Sequence, residues 1–325
     1  MTDATTTLQA PAVVETELTL VVSGHRIIAE GVAEVEFEAA DGGNLPPWKP
    51  GAHVEFELAD GLVRHYSLCG DLSLDRWRVA VLRAEDGRGG SDAMHRLEVG
   101  TELLGRGPRH RFELEQADRY EFIAGGIGIT PLIPMIDEVD RRGVPWRLAY
   151  GGRSRASMAY SDELSRRYGD RVTLIPQDKA GVLDLDRILA SLAAGAAVYA
   201  CGPEGLLTAL EQRADGAAWS LHLERFVAGQ QEGSGQNEAI EVELVDTGRT
   251  VTVAADETIL DAMDREGVFV LSSCREGICG TCETRVLAGE PDHRDSYLTA
   301  KERDEGDVMM ICVSRSRTTK LTLEL

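Results

Sequence analysis

Four of the six cysteines in this chain fall within its last 52 residues, as Cys274-x4-Cys279-x2-Cys282 and then Cys312 after 29 further positions. No other feature restricts the fold so tightly, because thiols at this spacing have to be delivered to one small volume. Gly277 and Gly280 lie inside the loop, where they let the backbone fold tightly and turn its N–H groups toward sulfur. A disulfide set is a poor reading in a reducing compartment, so the concentration asks for a metal. A zinc site with four cysteines usually has two paired Cys-x2-Cys units, and only one is present. Coincidental core cysteines are the remaining alternative.

The 325 residues exceed the ~250–300 at which a single core stops growing, so two or three domains are expected. Apolar residues make up 43% and charged residues 27%, which argues against disorder, collagen or a membrane bundle. No run of 18 apolar residues occurs, and residues 1–12 lack the basic and apolar regions of a signal peptide. The expectation is therefore a cytoplasmic protein with no membrane contact. With 34 Lys+Arg against 55 Asp+Glu the net charge is -21, and no basic cluster offsets it, so no nucleic-acid partner is expected. Acidity is densest in residues 236–325, where 10 Lys+Arg face 19 Asp+Glu, net -9.

Residues 1–15 carry no sustained period and read as a tail. From Glu17 the chain alternates apolar with mostly charged residues, as in Glu34-Val35-Glu36-Phe37-Glu38 and His53-Val54-Glu55-Phe56-Glu57-Leu58, the pattern of half-buried antiparallel strands. Glycine and proline turns punctuate these runs, so residues 16–115 are expected to form a small antiparallel β-barrel. Residues 116–228 read as an α/β domain on a parallel sheet, with strands near 120–124, 146–150, 172–175 and 197–200. Helices are expected at 130–142, 161–168 and 205–213. A small polar run marks a linker over 229–238, and alternation returns from 239 to 325, with a helix near 258–266.

The spacing Cys274-x4-Cys279-x2-Cys282…Cys312 matches that of a plant-type 2Fe-2S cluster. The whole segment from Ser273 to Cys282 resembles plant-type ferredoxins, and the resemblance extends over about the last 85 residues. It implies a third domain of α+β, β-grasp fold, with Cys274, Cys279, Cys282 and Cys312 as the iron ligands.

Two further motifs lie upstream. Gly125-Gly126-Ile127-Gly128-Ile129-Thr130-Pro131 joins a strand to a helix without matching the Rossmann pattern G-x-G-x-x-G, and alone it reads equally well as a tight turn. Cys201-Gly202-Pro203 ends a buried strand and sets a thiol at the carboxyl edge of the sheet, where ligands of open α/β sheets collect. Together they resemble the pyridine-nucleotide domain of the ferredoxin reductase superfamily. That resemblance puts Cys201 beside the nicotinamide, with Gly202 and Pro203, and puts Gly125, Gly126, Gly128 and Thr130 under the pyrophosphate. In the first domain, Arg64-His65-Tyr66-Ser67 resembles the superfamily's flavin motif, against the bland reading of an edge strand. It implies Arg64 at the flavin phosphate, His65 flanking, Tyr66 along the ribityl and ring, and Ser67 near the reactive N5. Gly87-Arg88-Gly89-Gly90-Ser91 has the form of an anion loop: glycines expose N–H groups, Arg88 adds charge, and Ser91 is placed to cap a helix over 92–97.

The order barrel, nucleotide domain, ferredoxin over residues 17–325 resembles the phthalate dioxygenase reductase family. The resemblance implies FMN, with Arg88, Gly90 and Ser91 around its single phosphate, and NADH as electron donor. Arg153 and Ser154, with Arg155 beyond, follow the second nucleotide strand, and arginines there could recognise a 2'-phosphate, which leaves NADPH possible. Phe226 would be the closing aromatic, placed with Ser67 and Cys201 around the stacked rings. The implied partner is a terminal oxygenase, a Rieske-type protein acting on an aromatic acid by hydroxylation or O-demethylation, or alternatively a haem-thiolate monooxygenase. A redox sensor without turnover is the third reading, which a complete nicotinamide domain makes unnecessary.

Overall fold

The computed structural model describes residues 16–58, 62–84, 89–226 and 237–325. The expected tail over 1–15, Gly87 and Arg88 of the glycine loop, and all but the last two residues of the expected linker lie outside the described residues.

Six antiparallel strands build the first unit: β1 (Glu17–Ala29), β2 (Val32–Ala39), β3 (Ala52–Glu57), β4 (Val63–Ser67), β5 (Trp77–Leu82) and β6 (Glu102–His110). Their order is β4-β3-β6-β1-β2-β5. The sheet curls until its two edges meet, where the Cys69 amide just after β4 donates to the Arg78 carbonyl of β5 at 2.9 Å. Alternation sends Val35, Phe37, Val54, Phe56 and Trp77 inward, and Phe37 and Phe56 pack with ring centroids 4.8 Å apart. Helix α1 (Gly90–His95) follows β5. It begins two residues earlier than the sequence suggested, behind Gly89 at φ 82°, with no side-chain cap. Ser91, expected as that cap, instead accepts a hydrogen bond from the Ala84 amide at 3.0 Å.

The second unit is a parallel sheet of order β11-β10-β7-β8-β9, from β7 (Arg119–Gly125), β8 (Trp146–Gly152), β9 (Val172–Pro176), β10 (Ala196–Cys201) and β11 (Ser220–Glu224). Helices α2 (Leu132–Arg141), α3 (Ser161–Tyr168), α4 (Gln177–Ala180), α5 (Leu185–Leu189) and α6 (Glu204–Ala214) complete it. The helix expected from residue 130 is preceded by a 3-10 turn over Gly126–Ile129. Edge strand β11 and helices of four and five residues escaped the sequence reading because none is long enough to express a period.

These two units share a core. Val32, Cys69 and Ala80 of the barrel pack in one cluster with Phe122, Ile129 and Tyr150 of the sheet. Glu34, on the outward face of β2, is only 2% exposed; it accepts from Arg26 at 2.6 Å and from the Tyr160 hydroxyl at 2.8 Å.

The third unit comprises β12 (Ile240–Leu244), β13 (Arg249–Val253), α7 (Ile259–Arg265), β14 (Glu283–Ala288), β15 (Pro291–Asp292), α8 (Ala300–Glu305), β16 (Val308–Met310), β17 (Arg315–Ser316) and β18 (Lys320–Leu323). A mixed sheet of order β13-β12-β18-β14-β16, with β12 parallel to β18, holds α7 against it in a β-grasp. Thr258 caps α7 by accepting from the Asp261 amide at 3.0 Å. Its core, which includes Cys282 and Cys312, contains no residue from the other two units. Among the described residues no helix is long and apolar enough to cross a membrane.

Candidate redox site

Strand β4 carries the first group of site residues. The Arg64 side chain lies across Gly90, where a Cβ would come within 2.6 Å of its Cγ, so only glycine admits this approach at the start of α1. A cation thus sits against the backbone of buried Gly90 at the start of α1, a donor set suited to a phosphate. Tyr66 packs against Phe56 with centroids 6.1 Å apart, and burial pushes its phenol up to about 12, with Arg64 opposing. His65 faces the other way: its Nε2 is 2.8 Å from the Ser273 hydroxyl of the third unit, one residue before Cys274.

Bare backbone forms the floor of the nucleotide edge. A Cβ on Gly128 would collide with the Cys201 carbonyl, and one on Gly202 would meet the Gly125 backbone at 3.0 Å. Gly128 and Gly202 thus pack directly on the ends of β10 and β7, close approaches that only glycine allows, at the carboxyl edge where ligands of such sheets collect. Gly126 takes φ 57° and opens the turn. Thr130 is buried and closes that turn, its hydroxyl donating to the Ile127 carbonyl at 3.0 Å. Pro203 precedes α6 and packs over Gly125. Ser154 caps the short 3-10 turn Arg155–Ser157, Arg155 is held by Asp162 at 2.5 Å, and Arg153 is exposed.

The barrel and the sheet meet at Ser67, whose hydroxyl donates to Glu224 Oε2 at 3.3 Å. Glu224 is the last residue of β11, two before Phe226, which is 36% exposed. Burial pushes the Glu224 carboxyl up to about 8, the Ser67 hydrogen bond opposing. Cys201 is fully buried beside it, and burial followed by the Glu224 charge pushes its thiol well up. Ser67, Cys201, Glu224 and Phe226 therefore come from two domains to one edge. Sequence reading missed Glu224; an acidic residue two before the closing aromatic was the available signal.

The four cysteines of the third unit interact most strongly as two pairs, Cys274 with Cys279 and Cys282 with Cys312. Two pairs of thiols suit two irons, one pair to each. The loop depends on its glycines: Gly277 has φ 70° and Gly280 φ 76°, and a Cβ on Gly280 would overlap the Tyr297 ring. The donor set and the loop fit a 2Fe-2S cluster.

Residues 242–317 match the 2Fe-2S iron-sulfur cluster binding domain family. The chain is 43% identical, over 302 residues, to the phenoxybenzoate dioxygenase subunit beta of Ectopseudomonas oleovorans, covering 91% of this chain and 94% of that protein. Among solved structures it is similar to phthalate dioxygenase reductase, described as modular for electron transfer from pyridine nucleotides to [2Fe-2S]. There the identity is 31% and the TM-score 0.69, covering 95% of this chain and 98% of that one. It also resembles part of an intact type IV self-sufficient cytochrome P-450 monooxygenase, with 43% identity and TM-score 0.86, covering 95% of this chain but 41% of that one. With its antiparallel barrel, parallel sheet and cluster-binding β-grasp in that order, the chain belongs to the phthalate dioxygenase reductase family, the oxidoreductases that serve as reductase components of multicomponent oxygenases.

Proposed function

We propose that this chain takes electrons from NADH through FMN and its 2Fe-2S cluster to a Rieske-type terminal oxygenase that hydroxylates or O-demethylates an aromatic acid. The carrying observation is that five-residue strand β4 borders all three candidate sites: Arg64 at Gly90, Ser67 at Glu224, and His65 at the loop of Cys274. A nicotinamide gives up a hydride and a 2Fe-2S cluster takes one electron at a time, so a bound flavin supplies the conversion between them.

The residues of the chain hold and shield. Arg64 and the backbone at Gly90, with Arg88 and Ser91, would hold the single phosphate of FMN. Gly126, with nothing within 4 Å of its would-be Cβ, would leave room for a pyrophosphate beside the close-packed Gly125 and Gly128, while Cys201, Gly202 and Pro203 would bound the nicotinamide side. Phe226 would cover the flavin ring until nicotinamide displaces it. The Ser67 hydroxyl and the Glu224 carboxyl can hold a proton at the position where the flavin N5 would lie, because a carboxyl titrating at about 8 is mostly protonated at neutral pH. Binding of NADH rather than NADPH is supported by the commitment of Arg155 to Asp162. The reducing cytoplasm suits six cysteines outside any disulfide, four of them read as cluster ligands.

A second reading, service to a haem-thiolate monooxygenase, is favoured by the likeness to the reductase portion of the self-sufficient monooxygenase. Coupled NADH oxidation with a purified Rieske oxygenase and with a haem-thiolate monooxygenase separates them. The first reading expects product only from the Rieske enzyme, and product only from the haem enzyme reverses the choice. A chain ended at Gly229 should keep NADH oxidation by ferricyanide and lose reduction of cytochrome c. Full cytochrome c reduction by that fragment would make the flavin, and not the cluster, the exit.

A further inference from the structure

Between the first and third units the main polar contact closes into a ring. Arg109 Nη1 lies 3.5 Å from His65 Nδ1, His65 Nε2 lies 2.8 Å from Ser273 Oγ, and Ser273 Oγ lies 2.6 Å from Glu55 Oε2. Arg109 Nη2 closes the ring by donating to the same Glu55 oxygen at 2.9 Å. Directions follow from donor counts. A serine hydroxyl has one proton, and a carboxylate only accepts, so Ser273 donates to Glu55 and accepts from His65. His65 then carries its proton on Nε2 and accepts from Arg109 on Nδ1.

Three of the four members belong to the barrel, where Glu55 and Arg109 pair with each other without Ser273, while His65 Nε2 donates to it. Glu55 also accepts from Arg106 at 2.8 Å and is only 3% exposed. Ser273 is the sole member from the β-grasp, and it is the residue next to Cys274. The other described contact at this junction, Arg111 over the Tyr297 ring at 4.5 Å with Glu283 at 4.0 Å, is half-exposed and adds little by itself. Among the described residues no hydrophobic cluster crosses the junction. Without a shared apolar core, the placement of the cluster loop falls to directional bonds, and the ring supplies them.

We propose that Glu55 and Ser273 are positioning residues for electron transfer within the chain: their hydrogen bond sets the cluster loop against β4, the strand whose Arg64 and Ser67 border the flavin. This rests on the reading that electrons pass from flavin to cluster inside one chain. Neither residue touches a redox group in this scheme, so their loss should spare the flavin chemistry and slow only the internal transfer.

The test uses the full-length holoprotein with Ser273→Ala and Glu55→Ala, both checked for flavin and iron content. Stopped-flow mixing with NADH should leave flavin reduction and ferricyanide turnover within about twofold. Cluster reduction should slow by at least about tenfold, since ångström misplacement of reacting groups can cost that much. Hydrogen exchange supplies a readout independent of turnover: amides of residues 63–67 and 271–276 should lose protection in both variants. Ser273→Thr, which keeps the hydroxyl, should recover rate and protection. Should Ser273→Ala fail to hold its cluster, Glu55→Ala on the other domain, which removes the acceptor that glutamine would keep, decides alone. Wild-type cluster reduction in Glu55→Ala overturns the proposal, as does lost protection without slowing. A wild-type protein whose flavin is reduced by NADH while its cluster stays oxidised sinks the underlying reading instead.

Discussion

Replacing Gly280 with alanine tests whether the cluster loop is built as the geometry requires. At φ 76°, any residue with a Cβ is strained by about 1–2 kcal/mol. The added methyl would also overlap the Tyr297 ring, which has the Arg111 guanidinium 4.5 Å from its centroid. Overpacking of this kind costs a further ~1–3 kcal/mol. Gly267 in the same domain is the control, because it has φ 69° and nothing within 4 Å of its would-be Cβ, so Gly267→Ala carries only the backbone cost. The clash therefore separates the variants by about 1–3 kcal/mol, and a domain under 100 residues loses roughly 4–8 °C per kcal/mol. Heating both holoproteins while following the visible circular dichroism of the cluster should show Gly280→Ala losing its signal at least about 4 °C below Gly267→Ala. Combining Gly280→Ala with Tyr297→Ala should cost less than the sum of the single changes, because the clash is gone. Coincident transitions, or strictly additive costs, would refute the packing argument.

Cys279→Ser should abolish or badly weaken the cluster while flavin stays bound, since an alkoxide is a poor substitute for a soft thiolate; an intact paramagnetic resonance signal would show the ligand set to be wrong. Glu224 binds its proton more tightly in the folded chain, up to about 8 against an ordinary 4.5, so its contribution to stability falls as pH rises through that window. Glu224→Gln should flatten the pH dependence of the urea midpoint between pH 5 and 8.5, and identical slopes would count against the raised Glu224 carboxyl. With Arg155 committed to Asp162, kcat/KM for NADH should exceed that for NADPH by at least about tenfold, roughly 1.4 kcal/mol; equal values would mean that the arginines of this loop grip a 2'-phosphate.

What local chemistry controls was legible in the chain itself. Cysteine spacing identified the four thiols because the loop that gathers three of them is only nine residues long, Cys274 to Cys282. Alternation located the barrel strands, and the turn glycines announced positive φ, because each depends on near neighbours. Tertiary structure decided what long-range packing controls. Glu34 and Glu55 occupy equivalent charged positions in alternating runs, where sequence gives a half-solvated face, yet both are nearly fully buried because another domain covers that face. Ser91 gave up its expected cap for the Ala84 amide, His65 turned toward Ser273, and Glu224 met Ser67 across 157 positions of chain. For His65 and Glu224 a polar group lost its water to a distant part of the chain and took the partner found there, and no pattern of neighbouring residues records where that partner will be.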